Sequence, residues 1–238
     1  MRELDSIAIV GAGRLGSALS AALTAAGFAV LGPLGRGADA RGTTAVLLCV
    51  PDGEIAGAAA SIAPGPLVGH CSGATGLDVL TPHEAFSLHP LMTVPGHARA
   101  DVLRGAGCAI DGSTPRALAV AETLAATLGM RATRVSDEDR AAYHAAASIA
   151  SNFLVTLEGA AERLAATAGV DRTLLAPLVR AAVENWAARG AEDALTGPIA
   201  RGDEQTVARQ RTAIEERAPE LLALFDVLAA QTRELVPA

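Results

Sequence analysis

The 238-residue sequence contains no lysine, so all 19 of its basic residues are arginine. Mechanisms that depend on a lysine amine are therefore excluded. Aromatic residues make up only 3% of the chain, although half of it is hydrophobic. The hydrophobic excess is alanine and leucine, which favours helices that pack closely over small side chains.

Cysteine is also scarce. Cys49, Cys71 and Cys108 are odd in number, far apart in the sequence and set in apolar, strand-like segments. This usage favours buried thiols over a disulfide framework or a zinc site, so no metal is expected.

Basic blocks are missing as well, and the formal net charge is -7. This balance argues against a nucleic-acid or membrane partner and favours a small metabolite. The first residues, MRELDSIAIVGAG, lack the basic flank and long apolar core of a signal peptide, which predicts a cytoplasmic protein.

Hydrophobic patterning divides the chain into two regions. An apolar run at residues 7–10, a glycine turn, a helical segment at 14–26 and a second apolar run at 28–31 are typical of a βαβ unit. Strand-sized runs follow at residues 45–50, 67–70, 85–88, 107–110 and 131–135. From about Asp137 the strand signals stop, and three or four helices are expected.

We therefore predict an α/β protein with two domains. Residues 1–136 form a Rossmann domain with a doubly wound, mostly parallel sheet, and residues 137–238 form an all-α domain for substrate binding and dimerisation.

The glycine turn predicts a dinucleotide site. Gly11, Gly13 and Gly16 form GxGxxG directly after the first strand, which suits a tight turn, close approach of a pyrophosphate and close helix packing. The helix N-terminus would bind the phosphates. Ala12, Arg14 and Leu15 complete the predicted cofactor-binding turn.

The end of the second strand bears on cofactor choice. No acid stands there to bind a ribose hydroxyl, whereas Arg36 follows closely and can pair with a 2′-phosphate. NADP is therefore expected over NAD. Asp39 is a late alternative acid, and Arg36 can equally be a solvated loop residue.

Further cleft residues are expected where later strands end, because open α/β sheets bind ligands at that edge. Val50 and Pro51 are assigned to the cofactor, while Asp52 is assigned a helix-capping role. Small residues after the next strand leave room for a nicotinamide ring, and N–H groups there can bind a carboxylate. These small residues are Cys71, Ser72 and Gly73. Ser72 can equally cap the following helix, and that role is compatible with a place in the cleft.

Histidines supply the candidate proton donors. His89 ends a strand before a proline and can protonate an alkoxide at neutral pH, although a structural role is an alternative for both His70 and His89. His144, Ser148 and Asn152 recur every fourth residue, which predicts a polar row on one helical face that lines a cavity. Thr196 and Arg201 are candidate ligands for a substrate carboxylate, with a surface ion pair as the alternative for Arg201.

Five motifs carry a resemblance along the whole chain: GAGRLGSAL, HCSGA, SLHPL, YHAAASIASN and LTGPIARGD. The sequence resembles bacterial proteins that join a Rossmann-like domain to the helical domain of unknown function 2520. That group looks like a branch of the 6-phosphogluconate and 3-hydroxyisobutyrate dehydrogenase superfamily, which includes ketopantoate and pyrroline-5-carboxylate reductases. The resemblance implies a role as a ketopantoate reductase in pantothenate biosynthesis.

One departure affects the catalytic assignment. Hydroxyacid dehydrogenases of that superfamily use a lysine four residues before an asparagine, and the matching positions here are Ser148 and Asn152. The acid must be another group, and we take His144 first and His89 second. A short-chain dehydrogenase mechanism also fails, because Tyr143 would need a lysine where Ala147 stands.

The resulting expectation is NADPH-dependent reduction of a small 2-oxo acid, best assigned as ketopantoate. A cyclic-imine reductase and a non-catalytic NADP-binding regulatory protein are the alternatives. A homodimer is expected through an apolar stripe that can also close on its own chain: Leu221, Leu224, Phe225 and Leu228.

Overall fold

The computed structural model of the chain describes residues 4–35, 37–96 and 100–236. Two compact units divide between Ser151 and Asn152. The first unit therefore includes the opening part of the helical region that begins near Asp137. The predicted boundary at 136/137 marks where strands end and stays a prediction for independent domains.

The first unit is built on one sheet whose strands include every strand expected from the sequence. Its strands are β1 (Ser6–Val10), β2 (Ala29–Leu34), β3 (Ala45–Leu48), β4 (Leu67–His70), β5 (Ala85–Leu91), β6 (Gly107–Gly112) and β7 (Arg131–Arg134). Their spatial order is β2-β1-β3-β4-β5-β6-β7. β1 to β5 pair in parallel, β6 runs antiparallel to β5, and β7 is parallel to β6. The predicted mostly parallel Rossmann sheet is confirmed.

Alternation along β1, an inner strand, explains how the sheet is covered on both faces. Ile7 and Ile9 of β1 belong to one buried cluster, while Ala8 and Val10 belong to another. Successive side chains of a strand point to opposite faces, so a nearly continuous apolar run supplies both cores.

Helices follow the strands of the first unit and make up most of the second. They are α1 (Arg14–Ala25), α2 (Ile55–Ala60), α3 (Pro115–Thr127), α4 (Arg140–Ser148), α5 (Leu154–Ala166), α6 (Arg172–Arg189), α7 (Ala191–Ala194), α8 (Glu204–Arg217) and α9 (Leu222–Glu234). The prediction of three or four helices after Asp137 is too low, because the described part of that region contains α4 to α9. A π-helical segment at Ile149–Phe153 and a left-handed Gly190, with φ of 82°, break up longer runs.

The second unit has a small core. Its buried cluster contains Ala160, Ile214, Ala218 and Leu221, with Phe225 packed against it. Two members of the predicted apolar stripe thus close on their own unit, while Leu224 and Leu228 remain partly exposed. None of the helices in the described ranges is long and apolar enough to cross a membrane.

Candidate active site at the carboxyl edge of the sheet

Four parallel strands bring distant residues to one edge of the first unit. β1, β3, β4 and β5 run in the same direction, so the turns that follow them meet at the same side. A cleft of about 530 Å³ opens there. Of the predicted site residues, it is lined by Gly13, Arg14, Leu15, Val50, Pro51, Cys71, Ser72 and His89.

The glycine turn after β1 has the packing that its motif predicts. Gly11 has φ of +116°, and a Cβ there would collide with the carbonyl oxygen of Cys49. A Cβ at Gly16 would collide with the carbonyl oxygen of Gly11. Both positions therefore require glycine, and they hold α1 close to the ends of β1 and β3.

Gly13 differs from these two glycines because the space around it is open. No atom lies within 4 Å of a Cβ placed there, and Gly13 begins α1 without a side-chain cap. The first-turn N–H groups of a helix carry partial positive charge and favour phosphate oxygens. An uncapped helix that begins in a cleft fits a dinucleotide pyrophosphate.

The end of β2 leaves the choice between NADP and NAD as a prediction, because Arg36 lies outside the described residues. The alternative acid, Asp39, forms an ion pair with Arg41 at 2.6 Å on the surface. Its carboxylate is thus already engaged by a neighbouring guanidinium.

His70 has a structural environment. Its side chain is buried, Nε2 donates to the Gly76 carbonyl at 3.1 Å, and Nδ1 accepts from the Ser72 N–H at 3.2 Å. Both ring nitrogens are engaged in a neutral ring, and burial lowers the pKa of His70. The ring shapes the turn after β4.

Ser72 organises that same turn. Its hydroxyl oxygen accepts from the N–H groups of Ala74 and Thr75, at 3.1 and 2.9 Å, and donates to the Thr75 hydroxyl. The N–H groups of Ala74 and Thr75 are therefore satisfied within the turn. The Ser72 side chain thus closes its own turn, and Ser72 still lines the cleft.

His89 combines exposure to the cleft with a specific partner. Its Nδ1 lies 2.7 Å from the hydroxyl of Tyr143, and the two rings meet edge to face. Burial and the neighbouring His144 lower the pKa of His89 to about 4. Burial raises the pKa of Tyr143 to about 12. Both groups are neutral at physiological pH, and they share one hydrogen bond.

His144 stands next to this pair without lining the cleft. It is exposed on α4, and its ring centroid lies 6.3 Å from that of His89. Gly73 separates the two histidines: a Cβ there would lie 2.7 Å from His89 Cε1 and 2.9 Å from His144 Cδ2. Gly73 therefore makes room for both rings.

The expected polar row from His144 to Asn152 stays a prediction, because the helix type changes between its members. α4 ends at Ser148, and residues Ile149–Phe153 form a π-helical segment. His144 and Ser148 therefore lie on α4, whereas Asn152 lies in the π-helical segment. Asn152 also belongs to the second unit.

A family comparison adds to this geometry. Residues 106–232, more than half of the chain, match the model of the domain of unknown function DUF2520. The chain belongs to the DUF2520 family. The resemblance inferred from the sequence motifs is thereby confirmed. No curated protein has significant sequence similarity to the chain.

Solved structures share the fold of this DUF2520 protein. BF3122 from Bacteroides fragilis has a TM-score of 0.81 at 21% identity, covering 98% of this chain and 99% of its own. TM1727 from Thermotoga maritima also has a TM-score of 0.81, at 24% identity over 97% and 98% of the two chains. A pyrroline carboxylate reductase from Plasmodium falciparum, solved with NADP bound, has a TM-score of 0.61 at 12% identity over 100% of both.

The DUF2520 region begins with β6, so it contains α4 but not the glycine turn or His89. Thr196 and Arg201 lie in it, within the second unit, shortly before α8. Arg201 is exposed in a turn, and its backbone N–H donates to the carbonyls of Gly197 and Pro198.

Sequence reasoning overlooked Arg140. Its guanidinium is buried, with Nη2 donating to Ser87 Oγ of β5 at 2.7 Å and Nε donating to Asp137 at 2.8 Å. This contact fixes α4 against β5, two residues before His89 on the strand and three before Tyr143 on the helix. Nothing in the local pattern separates Arg140 from a surface arginine, since the buried partner is 53 residues away.

The sequence also did not reveal the role of Tyr143 as the partner of His89. Its position as the single tyrosine, directly beside a candidate histidine, was the available signal. The cleft is also lined by residues that the sequence did not assign to a ligand: Cys49, Asp52, Pro90, Met92, Thr93 and Val94.

Proposed function

We propose that this DUF2520 protein is an NADPH-dependent oxidoreductase that reduces the carbonyl of a small 2-oxo acid, with ketopantoate as its best single substrate. The proposal rests on the position of His89. This neutral imidazole lines the same cleft as the glycine turn and forms a hydrogen bond with the Tyr143 hydroxyl. Such a pair can move a proton to an oxygen that gains negative charge.

The cleft residues fit the cofactor. The open Gly13 position and the uncapped start of α1 suit the pyrophosphate, while Val50 and Pro51 line the same cleft. A bound nicotinamide would supply the hydride. The fold-related pyrroline carboxylate reductase was solved with NADP, and BF3122 is named as a candidate NADP oxidoreductase, which supports the choice of NADP.

In this proposal His89 is the proton donor, in place of His144. The reaction uses the tautomer in which the Tyr143 hydroxyl donates to Nδ1, 2.7 Å away, and Nε2 carries the ring proton that passes to the alkoxide oxygen. The Tyr143 proton then moves to Nδ1, the ring stays neutral, and solvent restores the phenol. A neutral imidazole suffices because the alkoxide is a stronger base than the Tyr143 phenolate that the proton transfer leaves behind.

The substrate carboxylate requires a cation or polar donors. Arg201 and Thr196 remain our proposed ligands, with Arg201 forming a bidentate pair. We retain Ser148 and Asn152 as groups that orient the carbonyl.

The deciding experiment follows NADPH consumption by absorbance with the purified protein. The panel contains ketopantoate, other 2-oxo acids and pyrroline-5-carboxylate, with NADH in parallel. We expect turnover on ketopantoate with a preference for NADPH. Measurable NADPH binding without turnover on any compound would instead favour the non-catalytic regulatory protein.

Cyclic-imine reduction is the second candidate. It is favoured by the low pKa of His89, since hydride addition to an iminium produces an amine and needs no alkoxide protonation. Turnover on pyrroline-5-carboxylate that survives replacement of His89 would select this reaction.

We also propose a homodimer. In the second unit, α6 has no buried residue, and it exposes Leu174, Leu178 and Trp186 by 70%, 68% and 57%. Exposed apolar surface of this kind marks an interface. Light scattering after size exclusion should give a dimer for the wild type and a smaller species for Leu178→Glu. A wild-type monomer would contradict the proposal.

A further inference from the structure

Two cysteines that are far apart in the sequence meet inside the cleft. Cys49 Sγ and Cys71 Sγ lie 3.7 Å apart, and both residues line the cleft. The hydrogen bond with Cys49 and burial raise the pKa of Cys71, whereas Cys49 is half-buried. The proposed reaction uses neither thiol.

Sheet register brings the pair together. Leu48 of β3 pairs with His70 of β4, so the next residue of each strand is a cysteine at the same level. The Cys71 N–H donates to the Leu48 carbonyl at 3.2 Å, which extends the pairing past the strand ends. Neighbouring strands lie about 4.8 Å apart. That spacing falls within the Cα separations of roughly 4.4–6.8 Å that disulfides span.

The pair also supports the glycine turn. A Cβ at Gly11 would collide with the Cys49 carbonyl, and one at Gly16 would lie 3.2 Å from Cys49 Cβ. A bond between the sulfurs would shorten their separation to about 2.05 Å and pull Cys49 toward β4. The turn that rests on Cys49 would shift with it.

We propose that Cys49 and Cys71 form an oxidisable thiol pair whose reversible disulfide weakens dinucleotide binding. This inference rests on the proposed dinucleotide-binding function of the cleft. The oxidant is a peroxide, and the reductant is a small dithiol.

The chemistry takes two steps. The Cys49 thiol releases its proton, its sulfur attacks a peroxide oxygen, and the O–O bond breaks; the leaving hydroxide takes up the released proton as water, and Cys49 becomes a sulfenic acid. The Cys71 sulfur then attacks the Cys49 sulfur, the S–O bond breaks, and the hydroxyl leaves as water with the Cys71 proton. The two thiols lose two electrons, and the peroxide gains them.

Peptide mapping after hydrogen peroxide treatment tests the bond itself. Trypsin leaves both cysteines on one peptide, because no arginine or lysine stands between Arg41 and Arg99, but cleavage after Glu54 separates them. We expect a cross-linked pair of peptides whose mass is lower by two hydrogen atoms, restored by dithiothreitol. Bound NADPH should slow its formation. Sulfinic acid at Cys49 without a cross-link would overturn the proposal.

Titration of NADPH binding by fluorescence tests the consequence. We expect oxidation to raise the Kd about tenfold or more and dithiothreitol to reverse the change. Cys49→Ser and Cys71→Ser should each bind equally before and after peroxide, whereas Cys108→Ser should respond like the wild type. A cross-linked protein with unchanged Kd would overturn the proposal. If the reduced protein does not bind NADPH, the proposed function fails, while the mapping still decides whether the bond forms.

Discussion

The Nδ1 atom of His89, near the end of β5, lies 2.7 Å from the hydroxyl of Tyr143 on α4. The two residues are separated by 54 positions in the chain. Their contact joins the cleft edge of the sheet to the first helix of the α-helical region. It also distinguishes His89 from His70, whose two ring nitrogens are both engaged within one local turn.

Replacing His89 should impair chemistry more than replacing His144. We expect His89→Ala to lower kcat roughly 100-fold or more, the usual contribution of a general acid. His144→Ala should cost less, because His144 touches His89 without lining the cleft. Steady-state kinetics with NADPH and the substrate identified in the panel give the measurement. Full turnover by His89→Ala and loss in His144→Ala would reverse the assignment.

Folding stability should fall as the pH drops from about 6.5 to about 4. Burial lowers the pKa of His89 from 6.5 to about 4, so the unfolded chain binds the proton first. Stability therefore rises with pH across this window and is lost on acidification. Thermal unfolding at several pH values should show a smaller decline for His89→Gln than for the wild type. Identical declines would show that His89 does not contribute.

Gly73→Ala should damage activity with little effect on cofactor binding. The added Cβ would lie 2.7 Å from His89 and 2.9 Å from His144, so at least one ring must move. Misplacement of a catalytic group by about 1 Å can cost roughly 100-fold in rate. Gly57→Ala is the matched control, because a Cβ there meets no atom within 4 Å. Equal kcat values for the two variants would contradict this role of Gly73.

Gly13→Asp should separate helix stability from phosphate binding. Aspartate is a favourable N-cap, so α1 should be stabilised, yet its charge would repel the pyrophosphate. We expect NADPH affinity to fall about tenfold or more, with an unchanged or higher Tm. Gly13→Ala introduces no charge into the open space and should bind NADPH more tightly than Gly13→Asp. Equal affinities would place the pyrophosphate elsewhere.

Arg140→Met should destabilise the first unit and alter His89. Its loss leaves the buried Ser87 hydroxyl without its guanidinium donor, which costs about 1–3 kcal/mol in the free energy of unfolding. Adding Ser87→Ala should recover part of that loss, as a double-mutant cycle in urea would show.

The pKa of His89 provides a second measurement, which separates an effect of Arg140 on His89 from its contribution to packing. Burial and His144 lower the pKa of His89 most, and the charge of Arg140 acts in the same direction. An NMR titration should therefore find a higher His89 pKa in Arg140→Met. An unchanged pKa together with unchanged stability would leave Arg140 with neither role.

The sequence alone determined the Rossmann sheet, the position of the glycine turn and the family. These features depend on local signals: apolar runs of strand length, a GxGxxG motif between strand and helix, and motifs that carry the DUF2520 resemblance. Hydrophobic periodicity and backbone freedom at glycine act over a few residues. Strand assignment therefore succeeded without knowledge of distant partners.

Only the tertiary structure decided which polar and cysteine residues contact one another. It paired His89 with Tyr143, buried Arg140 against Ser87, brought Cys49 to Cys71, and engaged His70 within its own turn. Strand order and register set these contacts, and residues that are equivalent in local pattern can end up in a cleft, a core or solvent. The π-helical segment that follows α4 was likewise visible only in the structure.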